Sequence, residues 1–132
     1  MNKENDIDWS FSDNKKPSWT GDYHAGITFN KKVKIFELRF NNGTPSEILE
    51  SNGLTFGLKD KEVYVTTRKI DHAPYFKPRT HKNGHLILSR KRLVTDIVNQ
   101  LLEKEPGEKA SLQFNFKHCS DDIWRIVDIK LI

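Results

Sequence analysis

The sequence predicts an α+β fold: a β-rich single domain of about seven mostly antiparallel strands, a twisted sheet or small barrel, with one main helix and one short helix. Three observations carry this expectation. Apolar and polar residues alternate at period two in run after run. Only residues 90–104 hold apolar residues at helical spacing over several turns. The chain has 132 residues, the size of one domain, and such a domain buries about two-thirds of the surface its unfolded chain exposes. The domain therefore spans residues 1–132, with residues 1–26 as a loosely ordered N-terminal segment.

Taken in order, Ile7, Trp9 and Phe11 alternate with polar residues and suit a short strand. Residues 12–26 hold Pro17, Gly21 and Gly26 and read as a loop. Residues 27–41 form one long strand candidate, with Phe36, Leu38 and Phe40 on one face and Glu37 and Arg39 on the other. Thr44, Pro45 and Glu47 make a capping box, and Asn52-Gly53 supplies a left-handed exit, so a short helix lies between them. Residues 54–58 and 62–67 read as a hairpin around Lys59-Asp60-Lys61. Residues 71–84 contain Pro74, Pro78 and Asn83-Gly84 and form the most loop-like interior stretch.

Residues 85–88 follow as a short strand. The main helix then has Ser89 as its natural cap and Leu93, Ile97 and Leu101 at i, i+4, i+8. Pro106-Gly107 stops it. In the final hairpin Leu112, Phe114 and Phe116 alternate, a turn falls at residues 118–122, and residues 123–132 return. There Val127, Ile129 and Leu131 share one face, and Trp124 and Ile126 the other.

Cys119 is the one cysteine, so an internal disulfide framework is excluded. The polar, acidic start lacks the basic and apolar regions of a signal peptide. No apolar run approaches the ~18 residues of a membrane span. A cytoplasmic protein without a membrane partner is expected.

Charge is the informative feature. Residues 1–67 carry nine Lys/Arg and ten Asp/Glu, and residues 93–132 carry five and seven. Residues 68–92 carry eight basic residues and one acid, Asp71, which is net +7 in a chain whose total is +4. Basic clustering of this kind is the electrostatic footprint of a nucleic-acid binder. A solvated basic loop, or a surface docking an acidic protein, produces the same pattern.

Within this window Arg90, Lys91 and Arg92 crowd a helix start, where the backbone already carries partial positive charge. Bound phosphate would offset that repulsion. Tyr75 and Phe76 lie beside Lys77, Arg79 and Lys82. They can stack on bases, or they can anchor the loop to the core. His81 and His85 stand four apart, but Asn83-Gly84 argues against a helix there, and a structural zinc needs four ligands. No phosphate loop, dinucleotide glycine pattern or nucleophile elbow occurs. His118 and Cys119 are neighbours on a strand and point to opposite faces. No catalytic residue, cofactor or metal site is therefore assigned.

From Thr67 onward the order of basic stretch, Gly84 before a short apolar strand, helix, Gly107-Glu108 and final hairpin resembles the AbrB/MazE-type swapped-hairpin DNA-binding domain. The likeness covers about half the chain. The long connecting loop, the longer helix and the N-terminal half depart from that pattern. The resemblance implies a dimer presenting Arg68, Lys69 and Arg79 to DNA.

The reading is a small non-enzymatic nucleic-acid-binding protein, with DNA and RNA both open. Arg68, Lys69, Lys77, Arg79, Lys82, Arg90, Lys91 and Arg92 are the phosphate contacts, and Tyr75 and Phe76 the stacking groups. The alternative is a protein-interaction module, an inhibitor or accessory subunit docking an acidic partner through the same basic surface.

Overall fold

The structure, a computed structural model, describes residues 23–81 and 85–132. The expected strand through Ile7, Trp9 and Phe11, most of the loop 12–26, Lys82 and the Asn83-Gly84 turn lie outside these residues.

Among the described residues eight strands and two helices follow one another: β1 (Ala25–Asn30), β2 (Ile35–Phe40), α1 (Ser46–Leu49), β3 (Thr55–Lys59), β4 (Glu62–Thr66), β5 (Arg79–Thr80), β6 (Leu86–Ser89), α2 (Lys91–Leu102), β7 (Lys109–Ser120) and β8 (Ile123–Leu131). All strands pair antiparallel in one sheet of order β3-β4-β8-β7-β1-β2-β6-β5, curled into a half-barrel. The α+β class and the two helices agree with the sequence reading.

The extra strands have local causes. The stretch expected as one strand over 27–41 folds back on itself. Asn30 Oδ1 accepts hydrogen bonds from the backbone N–H of Lys32 at 3.0 Å and of Val33 at 3.3 Å. Lys34 takes a left-handed φ of 57°. An Asx-type turn thus splits the run into β1 and β2. The first strand also begins at Ala25, inside the stretch read as loop. The 71–84 loop contributes the two-residue β5, which pairs with β6 at Arg79↔Ile87 and Thr80↔Leu86.

Alternation then builds the core. Ile27 pairs with Leu38 on one side and Leu112 on the other, and Leu38 pairs with Leu88. Paired residues project from the same face, so these side chains form one apolar row on the concave face. Phe29, Phe40, Phe114, Val63 and Val65 join them, all essentially inaccessible to solvent. Helix α2 lies against this face over β1, β2 and β4. It buries Val94, Ile97 and Val98, as the helical spacing requires.

Helix ends depart from expectation. Ser89 does not cap α2. It remains the last residue of β6, and its hydroxyl accepts a hydrogen bond from Arg79 at 3.3 Å. The N-cap is Arg90, extended at φ −135°, without a side-chain cap hydrogen bond. The helix ends at Leu102, ahead of Pro106, with Glu103 left-handed at φ 56°. Thr44 makes no capping box for α1, because its hydroxyl donates to the His24 carbonyl at 2.6 Å. Gly53 provides no left-handed exit, and Glu50 closes α1 in a right-handed conformation. The glycine is needed for closeness instead. A Cβ at residue 53 would lie 2.6 Å from the Tyr75 ring and 3.0 Å from the Phe76 carbonyl.

The β3–β4 hairpin turns where expected, through Asp60 (φ 52°) and Lys61 (φ 67°). In the last hairpin, Gln113 pairs with Lys130 but Asn115 pairs with Val127, so β8 carries one extra residue, with Asp128 at φ 54°. This bulge shifts the alternation. Val127 stays beside Asn115, while Leu131 crosses to the side of Leu112. The expected common face of Val127, Ile129 and Leu131 is therefore broken.

Strands β3 and β5 are the two edges of the sheet, and the connection 67–78 runs from one toward the other. Leu54 and Phe76 exchange two backbone hydrogen bonds of 2.8 Å. The Phe76 ring meets Phe56 edge-on at 6.0 Å. The Tyr75 hydroxyl donates to the Thr67 carbonyl at 3.2 Å.

Candidate functional site

The basic window runs from the end of β4 to the first turn of α2. Arg68 follows β4. Its Nε lies 2.8 Å from an Asp122 carboxylate oxygen in an exposed ion pair, and its carbonyl accepts from Thr55 Oγ1 at 2.9 Å. Lys69 and Lys77 are exposed on the 67–78 connection. Tyr75 and Phe76 are half-buried there and hold the connection to β3 and Thr67, the anchoring role. Arg79, Arg90, Lys91 and Arg92 form a separate exposed group, joined through Ser89. Of the set implied by the swapped-hairpin resemblance, Arg68 and Lys69 precede and Arg79 follows the Tyr75-Phe76 anchor of the connection.

The second group gains cations from a distant part of the chain. The β1–β2 turn carries Lys31, Lys32 and Lys34, all exposed. Glu37 on β2 pairs with Ser89 on β6, which sets the start of α2 beside this turn. Lys34, Phe36, Glu37, Ser89 and Lys91 line one shallow groove. The Lys91 ammonium sits 5.4 Å from the centroid of the Phe36 ring, a cation–π distance. That contact lays the lysine stem along β2 and leaves the charge at the rim. Composition windows missed these three lysines, because acids elsewhere in residues 1–67 cancel them. Strand pairing brings Lys34 to the start of α2, with Lys31 and Lys32 on the same turn.

The first turn of α2 has no acidic residue and no side-chain cap. Its leading N–H groups therefore face outward among Arg90, Lys91 and Arg92, next to Lys34. Such an arrangement attracts oxyanions and repels cations.

A hollow opens on the outer, convex face of the sheet. Gly26, in the middle of β1, pairs with Arg39 on β2 and Gln113 on β7. Arg39 pairs in turn with Ile87, and Ile87 with Arg79. These residues share the outer face. A cavity of about 100 Å³ forms over the glycine, lined by Tyr23, Gly26, Thr28, Glu37, Arg39, Asn41 and His85. Glu37 and Arg39 approach to 3.7 Å. Asn41 donates from Nδ2 to the Tyr23 carbonyl at 3.3 Å. Glu37 borders both this hollow and the basic groove.

His24 ties the neighbouring loops together. Its Nδ1 accepts the Phe116 backbone N–H at 2.9 Å, and its ring stacks on Phe116. Burial lowers its pKa below the ordinary imidazole value, and the Asp128 carboxylate opposes that shift.

No group of three or more His, Cys, Asp or Glu side chains converges as a metal site among the described residues. Among the same residues, no helix is long and apolar enough to cross a membrane. No family model, curated protein or solved structure matches this chain.

Proposed function

We propose that this chain is a non-enzymatic nucleic-acid-binding protein. Its phosphate-contacting surface is the basic end formed by Lys31, Lys32, Lys34, Arg79, Arg90, Lys91 and Arg92. The observation that carries the reading is the groove shared by Lys34 and Lys91. Two segments nearly sixty residues apart deliver cations to one helix start whose first turn holds no acid, with Glu37 as a carboxylate in the groove. Folding brings like charges together at an electrostatic cost, and polyanion binding turns that cost into affinity through counterion release. Lys77 extends the reading along the adjoining connection, and Lys82, outside the described residues, stays in it on its charge alone. Arg68 already has a carboxylate partner and contributes less.

The test is fluorescence anisotropy of labelled single- and double-stranded oligonucleotides across a salt series. Wild type is compared with Lys34→Glu/Lys91→Glu/Arg92→Glu. Binding with a steep linear log–log salt dependence is expected, with a slope reduced by about one per phosphate contact removed. Absence of binding at low salt sinks the reading and turns the same surface toward an acidic protein partner.

A further inference from the structure

We infer that the hollow over Gly26 is a pocket for a single unpaired nucleobase, next to the phosphate-binding end. This inference rests on the nucleic-acid reading and narrows it to single strands.

Gly26 occupies the interior of a strand flanked on both sides, a position where glycine weakens the strand and marks close approach of another group. Its neighbours in the outer-face row are Arg39 and Gln113, and Gly26 and Arg39 both line the hollow. The walls are mixed, with apolar surface beside charged and amide groups. Glu37 offers only acceptors and Arg39 only donors, while Asn41 keeps its Oδ1 as an acceptor when Nδ2 serves the Tyr23 carbonyl.

This mixture selects the ligand. A lone anion is repelled by the Glu37 carboxylate, and a lone cation by the Arg39 guanidinium. A group that carries donors and acceptors along one planar edge satisfies both walls, and a nucleobase is such a group. Tyr23 stands at the margin. About 100 Å³ is well below the volume of a site for a drug-sized ligand and suits one ring system.

Placement links the pocket to the phosphate surface. Arg79 and Arg39 flank Ile87 in the same outer-face row, and Arg79 also reaches Ser89, next to Arg90. A nucleic-acid strand whose phosphates follow Arg79 and Arg90 lies two β-strands from Arg39, which lines the hollow. Duplex DNA or RNA keeps its bases stacked and paired, and cannot insert one without flipping it out.

The experiment measures the full chain by anisotropy against three labelled probes of equal length: a single strand, an abasic single strand with the same phosphates, and a duplex. Wild type is expected to prefer the base-bearing strand over the abasic strand by about tenfold, the scale of one stacked base. Gly26→Val fills the hollow and is expected to abolish that preference while salt-sensitive binding to all three probes persists. Glu37→Gln, at a partly exposed site, is expected to reduce the preference severalfold and covers the case in which Gly26→Val does not fold. Equal affinity of wild type for base-bearing and abasic strands overturns the pocket alone. So does a preference that survives both variants. Failure of wild type to bind any probe at low salt overturns both the pocket and the basic end.

Discussion

The backbone N–H of Phe116 donates to Nδ1 of His24 across 92 residues of chain, at 2.9 Å. That bond needs a neutral imidazole, because a protonated Nδ1 has no lone pair to offer. The same residue accepts from Asn41 N–H at 2.7 Å and from the Thr44 hydroxyl at 2.6 Å through its carbonyl, and its N–H reaches Asn115 Oδ1 at 2.9 Å. Asn115 in turn donates to Asp128, the left-handed residue of the β8 bulge. One histidine therefore joins β1, the 41–44 turn, β7 and, through Asn115, β8.

The pH consequence has a definite sign. The folded pKa of His24 lies below its unfolded value because burial disfavours the charged ring, with Asp128 opposing. Below the ordinary value of ~6.5 the unfolded chain takes up a proton that the native state resists. Stability is therefore complete above about pH 7 and is lost as pH falls through the unfolded pKa toward the lower folded one. Urea unfolding at pH 7.5 and 5.5 should show the loss. His24→Asn keeps an acceptor but cannot titrate, and should shrink the difference. An unchanged difference would assign it to other groups.

At the start of α2, stability and binding should move in opposite directions. Arg92→Glu places an acid where the helix end is partially positive, and should raise stability by about 0.3–1 kcal/mol at low ionic strength. The same change should weaken oligonucleotide binding. Thermal melts and anisotropy on one preparation check both. A parallel loss of stability and binding would mean that the side chain supports packing.

Gly53→Ala should destabilise by about 1–3 kcal/mol, because the added methyl overlaps the Tyr75 ring and the Phe76 carbonyl. Tyr75→Ala in that background should recover part of the loss. Denaturant titration of both singles and the double gives the coupling. Additive losses would show that the ring is not the obstacle.

The β3–β4 turn holds two non-glycine residues, Asp60 and Lys61, at positive φ. Asn-Gly is the pair preferred in such a turn. Asp60→Asn/Lys61→Gly should therefore raise stability by roughly 1 kcal/mol, read from the urea midpoint. A lowered midpoint would mean that the Lys61 side chain, which borders Asn99 and Glu103 of the α2 end, contributes more than its backbone costs.

What was legible in the sequence was whatever is decided by neighbours along the chain. The Asp60-Lys61 hairpin, the α2 apolar stripe and the alternation of Leu112, Phe114 and Phe116 each depend on a few consecutive residues. Illegible features depend on partners far away. Thr44 looks like a cap until His24, 20 residues earlier, presents its carbonyl. Ser89 looks like a cap until Arg79 and the β2 pairing claim it for the sheet. The candidate site divides in the same way. Arg90, Lys91 and Arg92 are visible as a run. Lys34 of the β1–β2 turn joins them through strand pairing, and Gly26, read as loop, becomes the floor of a hollow only once Arg39 and Gln113 flank it.

The β1–β7 seam has a consequence for how the chain reaches this state. Ala25 pairs with Phe114, 89 residues away, whereas β1–β2, β3–β4 and β7–β8 are each closed by a short turn. Closing a loop of that length costs chain entropy before any contact rewards it. The hairpins should therefore form early and the middle of the sheet join late, an order that pulsed hydrogen exchange during refolding would check. Such non-local pairing places refolding in the millisecond-to-second range. Until the seam closes, the inner edges of β1 and β7 stand open to pairing with other chains, so the hazard of aggregation lies in the interval before the centre of the sheet is assembled.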